Sequence, residues 1–159
     1  MAKKEVTPQQ AVLKLESLCA RGERCTYELR QKLSSWQISE DTATKIINHL
    51  KNLRYVDDQR FAMAYCRDKF RFSKWGKLKI TQGLAAKRIS RELITNAIVD
   101  IDEEEYKHTL IELLRHKSQM ISNANSYEGK TKLFRFGVSR GFEISLVSEI
   151  IKSGVLWKD

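Results

Sequence analysis

The sequence predicts an all-α protein, with three tandem three-helix repeats in an elongated, curved arrangement. Three observations lead there. One helical pattern is written three times: Glu28-Leu29, Leu33, Ile38-Ser39, Ala43, Ile46 and Ile47; Lys79-Ile80, Leu84, Ile89-Ser90, Ile94, Ala97 and Ile98; and Lys132-Leu133, Gly137, Phe142-Glu143, Val147, Ile150 and Ile151. Its spacing is constant, since Leu33 to Leu84 and Ile47 to Ile98 are both 51 residues, and Ile80 to Leu133 and Ile98 to Ile151 are both 53. Self-similarity at a fixed period is the signature of repeat architecture. Finally, one proline and seven glycines among 159 residues leave few helix breakers, while 42% hydrophobic residues suffice for packed cores. Stacked helical repeats present an extended surface, which suits a long partner better than a small molecule.

The repeats are placed at 1–54, 55–100 and 101–159. In the first, Thr7-Pro8 reads as an N-cap followed by proline at the first helical position. Ala11, Val12, Leu15, Leu18 and Cys19 then share one helical face, and Gly22 ends the helix. Thr26 reads as the next N-cap, with Leu29 and Leu33 buried as far as about Trp36. Ser39 opens a third helix with Ala43, Ile46, Ile47, Leu50 and Leu53 facing inward. In the second repeat Asp57 caps a helix carrying Phe61, Ala62, Tyr65 and Cys66 on one face. Phe70 and Phe72 near its end read as packing residues. Trp75-Gly76 starts a short helix, and Ser90 opens one carrying Leu93, Ile94, Ala97 and Ile98. The third repeat begins at Asp102-Glu103-Glu104-Glu105, acids suited to a helix N-terminus. Leu110, Leu113 and Leu114 follow, then a polar loop from Ser118 to Ser126. A helix holding Leu133, Phe134 and Gly137 leads to a turn at Gly141 and a last helix from Ile144 to Leu156. In each repeat a hydrophobe (Ile38, Ile89, Phe142) precedes the last helix's cap position, a staple-and-cap pattern that fixes the angle between short helices.

The formal net charge is +9. Between Gln59 and Arg91 lie ten bases, Arg60, Arg67, Lys69, Arg71, Lys74, Lys77, Lys79, Lys87, Arg88 and Arg91, against the single acid Asp68. That stretch carries the whole excess, and the last third of the chain is mildly acidic. Such a focus speeds encounter with anionic partners and is weakened by salt. Phe70, Phe72 and Trp75 interleave with the bases. Stacking on nucleic-acid bases is one use for them, packing at a joint between repeats the other.

Several function classes are disfavoured. Cys19, Cys25 and Cys66 form no CxxC pair, so they read as small core hydrophobes in a reducing compartment rather than as disulfide or zinc ligands. His49, His108 and His116 are dispersed, and no metal site is expected. The pair Asp57-Asp58 has no further acid or histidine nearby, so it reads as a cap with a local ion pair formed by Asp58 or Arg60. Tyr55 and Phe61 then pack at the joint. No GxxxxGK[ST] or GxSxG motif is present, and no catalytic residue or cofactor is assigned. No apolar run approaches 18 residues, so no membrane span is expected. Met1–Glu5 is basic with no apolar segment behind it, so no secretory signal is expected.

At Tyr55-Val56-Asp57-Asp58-Gln59-Arg60-Phe61-Ala62 the sequence resembles the RecX family of bacterial recombination regulators. Three further segments resemble that family: Arg24 to Leu33, Trp75-Gly76 with Ile80 and Leu84, and Gly141-Phe142. The family often has Ser where Thr26 stands, Gly where Gln37 stands and Pro where Lys77 stands. The resemblance implies a cytoplasmic, non-catalytic protein that lodges in the groove of the RecA filament on DNA. There it would limit filament growth, ATP hydrolysis and strand exchange, modulating recombination, DNA repair and the SOS response. The expected partners are the RecA filament and DNA, directly or within the filament, with the protein itself a monomer. The alternative is an independent DNA-binding helical-repeat module.

Overall fold

A computed structural model describes residues 4–158. Met1–Lys3 of the basic N-terminal stretch and Asp159 lie outside the described residues. Among the described residues there are nine α-helices, a closing 3-10 turn (Val155–Trp157) and no strand. The helices are α1 Pro8–Arg21, α2 Thr26–Ser35, α3 Glu40–Asn52, α4 Asp58–Arg71, α5 Lys77–Ala86, α6 Arg91–Val99, α7 Glu103–Ser118, α8 Tyr127–Ser139 and α9 Ile144–Ser153. In chain order they fall into three sets of three.

Side-chain caps set most of the starts. Thr7 Oγ1 accepts from the Gln10 N–H at 3.2 Å while Gln10 Oε1 accepts from the Thr7 N–H at 3.0 Å, a reciprocal box ahead of Pro8. Ser39 accepts from Thr42 N–H, Ser90 from Leu93 N–H, Asp102 from Glu105 N–H and Ser126 from Gly129 N–H. Three expectations are corrected. Thr26 is the first residue of α2 rather than its cap. Leu53 follows α3 and is 54% exposed, because the helix ends at Asn52 and the inward stripe with it. The last helix does not run to Leu156: Gly154, at φ +76°, ends α9, and Leu156 is buried from the 3-10 turn instead.

The turn between the second and third helices has one construction in all three repeats. Ile38 N–H donates to Leu33 C=O, Ile89 N–H to Leu84 C=O and Phe142 N–H to Gly137 C=O, at 3.0, 3.2 and 3.3 Å. The residue before each hydrophobe is left-handed: Gln37 at φ +60°, Arg88 at +58° and Gly141 at +96°. This six-to-one bond with a left-handed residue is the Schellman ending of a helix. The staple hydrophobe thus marks a helix end as well as the next helix's start.

The chain divides into two compact units. One runs to Ala64 and adds Leu84–Ile94; the other comprises Tyr65–Gly83 and everything from Thr95 onward. The dividing points fall inside α4, α5 and α6. In the first unit α1 and α2 each pack on α3. Ala11, Leu15, Leu29, Leu33, Ala43, Ile46, Ile47, Leu50 and Val56 form its core, with Val12, Leu18, Cys19, Trp36, Ile38 and Tyr55 against it. In the second unit α7, α8 and α9 pack together. Phe70, Tyr106 and Phe142 form a buried aromatic row, with ring centroids 5.8 and 5.0 Å apart. Beside it the start of α5 runs along the α8–α9 turn. Gly76 N–H donates to Arg140 C=O at 2.8 Å and Leu78 N–H to Gly141 C=O at 3.0 Å. A Cβ on Gly76 would stand 2.3 Å from the Gly141 carbonyl, so both glycines permit this approach.

Candidate functional site

The segment Tyr55–Ala62 is held by its own polar groups. Asp57 Oδ1 accepts from the Arg60 N–H at 3.0 Å and caps α4. Asp58 is turned elsewhere: its Oδ1 accepts from the Thr26 N–H at 2.8 Å and caps α2. Arg60 pairs with Glu23, Nε to Oε1 at 2.7 Å, and its Nη2 donates to the carbonyls of Arg54 and Tyr55. The hydrogen bond to Glu23 raises the Arg60 pKa further, keeping it charged. Val56, Phe61 and Ala62 are buried, and Tyr55 packs against the first core. The local ion pair expected of Asp58 or Arg60 is therefore corrected: both reach residues more than thirty positions upstream.

The ten bases fall in both units. Arg60, Lys87, Arg88 and Arg91 belong to the first; Arg67, Lys69, Arg71, Lys74, Lys77 and Lys79 belong to the second. In the first, Lys87 Nζ stands 3.7 Å from Glu28 Oε2, which Arg24 also approaches at 3.6 Å. The Arg88 guanidinium lies 5.9 Å from the Tyr27 ring centroid, and Arg91 opens α6 on its exposed side. Lys87, Arg24 and Glu28 border an open cleft of about 440 Å³ with Leu18 and Tyr27.

In the second unit Lys77 is held inward. Its Nζ meets Glu103 at 2.5 Å and sits 4.5 Å from the Tyr106 ring, while its N–H donates to the Tyr106 hydroxyl. Arg67 and Arg71 lie one turn apart on α4, both exposed, with Arg67 near Asp68 at 3.5 Å. Lys74 does not continue their row, because α4 ends at Arg71 and Lys74 sits in the following turn at φ +56°. Lys69 and Lys79 converge on Trp75, each ammonium 4.7 Å from the indole centroid. Of the interleaved aromatics, Phe70 is buried and Trp75 half-buried, but Phe72 is 80% exposed. Its reading as a packing residue is corrected: it follows the last residue of α4 and its ring points away from the core.

Cys25 and Cys66 are buried, and burial pushes each thiol up to about 11. Cys19 is partly buried and shifted up for the same reason. His49, His108 and His116 are exposed, and no group of three or more metal-ligating side chains occurs among the described residues. No helix of the described chain is long and apolar enough to cross a membrane.

Two signals were missed in the sequence, Glu28 and Glu23. The pairing of Glu23 with Arg60 and of Glu28 with Lys87 joins residues far apart in the chain, so each is assigned only by the fold.

Among the described residues, nine helices in three sets of three, with this motif between the first two sets, make an all-α helical-repeat protein. The family model for the second three-helix domain of RecX matches residues 57–98. The chain is 28% identical to the Regulatory protein RecX of Clostridium perfringens (strain SM101 / Type A) over 155 residues, 94% of this chain and 72% of that protein. The crystal structure of RecX from Lactobacillus salivarius has the same fold, with a TM-score of 0.79 at 21% identity, covering 92% of this chain and 95% of that one. A second crystal structure, of regulatory protein RecX, gives a TM-score of 0.76 at 21% identity, over 92% and 73% of the two chains. In sequence and in fold the chain is similar to RecX proteins.

Proposed function

We propose that this chain binds the RecA filament on DNA in the cytoplasm and restrains its growth, ATP hydrolysis and strand exchange by occupancy. The observation that carries this reading is the concentration of the whole net charge of +9 in residues 59–91 of a chain similar to RecX proteins. Within that stretch Arg67, Arg71 and Lys74 are exposed to solvent. A groove lined by DNA phosphates and acidic protein surface is the partner such charge fits. We take 1–54, 55–100 and 101–159 as three repeats that together engage several subunits; multiple weak contacts then raise the effective concentration of each. The family match at residues 57–98 supports the middle repeat of that division.

The test is RecA-driven ATP hydrolysis on single-stranded DNA. Slowing at fewer than one molecule per RecA is expected. If hydrolysis continues unchanged at equimolar protein, the reading fails. If the protein instead binds naked DNA as tightly as RecA-coated DNA, it is an independent DNA-binding module.

A further inference from the structure

We propose that the α4–α5 corner of the second unit is a contact site for single-stranded nucleic acid, in which Phe72 stacks on a base and Arg71, Lys74, Lys69 and Lys79 hold the flanking phosphates. This deepens the reading above and rests on its basic segment. The site lies wholly within one compact unit.

Phe72 is 80% exposed, an unusual placement for a large apolar ring. It sits between Arg71 and Ser73-Lys74 in a corner pinned at several points. Phe72 N–H donates to Asp68 C=O at 2.9 Å and Trp75 N–H to Lys69 C=O at 3.0 Å. The Arg140 guanidinium donates to the Ser73 carbonyl. Behind the corner, Trp75 meets Tyr65 edge to face at 6.4 Å and gathers the ammonium groups of Lys69 and Lys79. A cation–π contact positions an ammonium without neutralising its charge. The lysines are therefore held at Trp75, three residues along the chain from Phe72, while remaining cationic.

The combination selects the ligand. An apolar protein surface would bury the ring but desolvate four cations without compensation. An acidic protein surface would satisfy the cations and leave the ring idle. A nucleic-acid single strand offers a phosphate and an open π-face at each nucleotide. A duplex keeps its base faces stacked, so this corner favours single strands.

The experiment measures binding of the full-length chain to a fluorescent oligothymidylate and to a duplex of equal length, with no RecA present. Phe72→Ala is expected to weaken single-strand binding by about five- to a hundredfold, the range for loss of one base–aromatic stack, while duplex binding stays within about twofold. Phe72→Tyr, which keeps a ring, restores binding. Lys74→Ala weakens binding and lowers its salt dependence. Single-strand binding untouched by Phe72→Ala, or equal losses on both DNA forms, overturns the proposal. Unchanged single-strand affinity of Phe72→Ala, with inhibition lost when the same variant is put through the separate RecA ATPase assay, overturns the proposal and assigns the corner to a protein partner. Because RecA is absent, failure here leaves the filament reading standing, and failure of the ATPase test leaves this one standing.

Discussion

The backbone N–H of Thr26 donates to Asp58 Oδ1 at 2.8 Å, so the N-terminus of α2 is capped by a side chain thirty-two residues downstream. Its neighbour Asp57 caps α4, the helix that follows it, through the Arg60 N–H. Two adjacent aspartates thus close two different helices. An oxygen acceptor at an N-terminus is worth about 1 kcal/mol, and its negative charge also favours that end of the macrodipole. Asp57→Ala and Asp58→Ala are each expected to lower stability by about 1 kcal/mol. Asp58→Asn, which keeps an acceptor, costs less. Urea denaturation checks this, and unchanged midpoints in both alanine variants would remove the capping role. Calorimetry with magnesium, calcium and zinc is expected to show no site that disappears with Asp57.

The left-handed turns make a second prediction. Gln37 occupies φ +60° where its third-repeat counterpart, Gly141, is a glycine. A side chain there costs on the order of 1 kcal/mol, because Cβ crowds the following carbonyl. Gln37→Gly is therefore expected to stabilise the protein by about 0.5–1 kcal/mol, net of the chain entropy glycine adds to the unfolded state. Thermal melts showing destabilisation would contradict the Schellman assignment.

The glycines give the opposite sign. Gly76→Ala would place Cβ 2.3 Å from the Gly141 backbone, with no flexible atom to yield. A loss of about 2–4 kcal/mol is expected, since main chain must shift. Gly22, at φ 172° with nothing within 4 Å of its would-be Cβ, serves as the comparison. Gly22→Ala is expected to be neutral or stabilising by up to about 1 kcal/mol. Equal losses at the two positions would argue against the close approach of α5 and the α8–α9 turn.

How much of this was legible in the sequence follows from range. Thr7, Ser39, Ser90 and Asp102 were readable because each caps the helix it begins, three residues away. The core positions Leu33, Ile47, Ile80, Leu84, Leu133 and Ile151 were readable because the repeat writes its pattern three times. Leu53 was misjudged because the periodicity continues past the last helical turn, and the sequence carries no glycine to mark the end at Asn52. The reach of Asp58 to Thr26 and of Arg60 to Glu23 depends on tertiary placement, which local pattern does not encode. Phe72 was misjudged because its spacing from Phe70 resembles a buried pair, whereas α4 stops between them. For the candidate site, the ten bases were visible as composition. Their division into held and exposed groups was not, since it depends on where Glu23, Glu28 and Glu103 arrive.

The core positions carry a further stability prediction. Leu33 and Ile47 are 0% and 1% exposed. Leu33→Ala and Ile47→Ala are each expected to cost about 2–5 kcal/mol. Leu53→Ala, at an exposed position, is expected to stay within about 0.5 kcal/mol. Denaturant midpoints that rank Leu53 with the other two would put the end of α3 in the wrong place.

The last prediction separates held charge from exposed charge. Arg60 and Lys77 are engaged with Glu23 and Glu103, and both also contact backbone or ring. Arg67, Arg71 and Lys74 are exposed and stand in a different relation to the fold. Arg67→Ala, Arg71→Ala and Lys74→Ala combined should leave stability within about 0.5 kcal/mol, since solvated charges contribute little. The same triple variant is expected to lose RecA inhibition by about tenfold or more, because several screened contacts are removed from one multivalent surface. Raising salt should reproduce the loss in the parent protein. Arg60→Ala should instead lower stability by about 1 kcal/mol through its unmade hydrogen bonds, with inhibition following the folded fraction. Lys130→Ala with Lys132→Ala, which removes two charges from the mildly acidic third repeat, is the control and should do less than the triple variant. If the triple variant inhibits RecA as the parent does while remaining folded, the exposed bases are a solvated face. The filament contact must then be carried by the first and third repeats, where charge is nearly balanced and shape would have to supply the affinity.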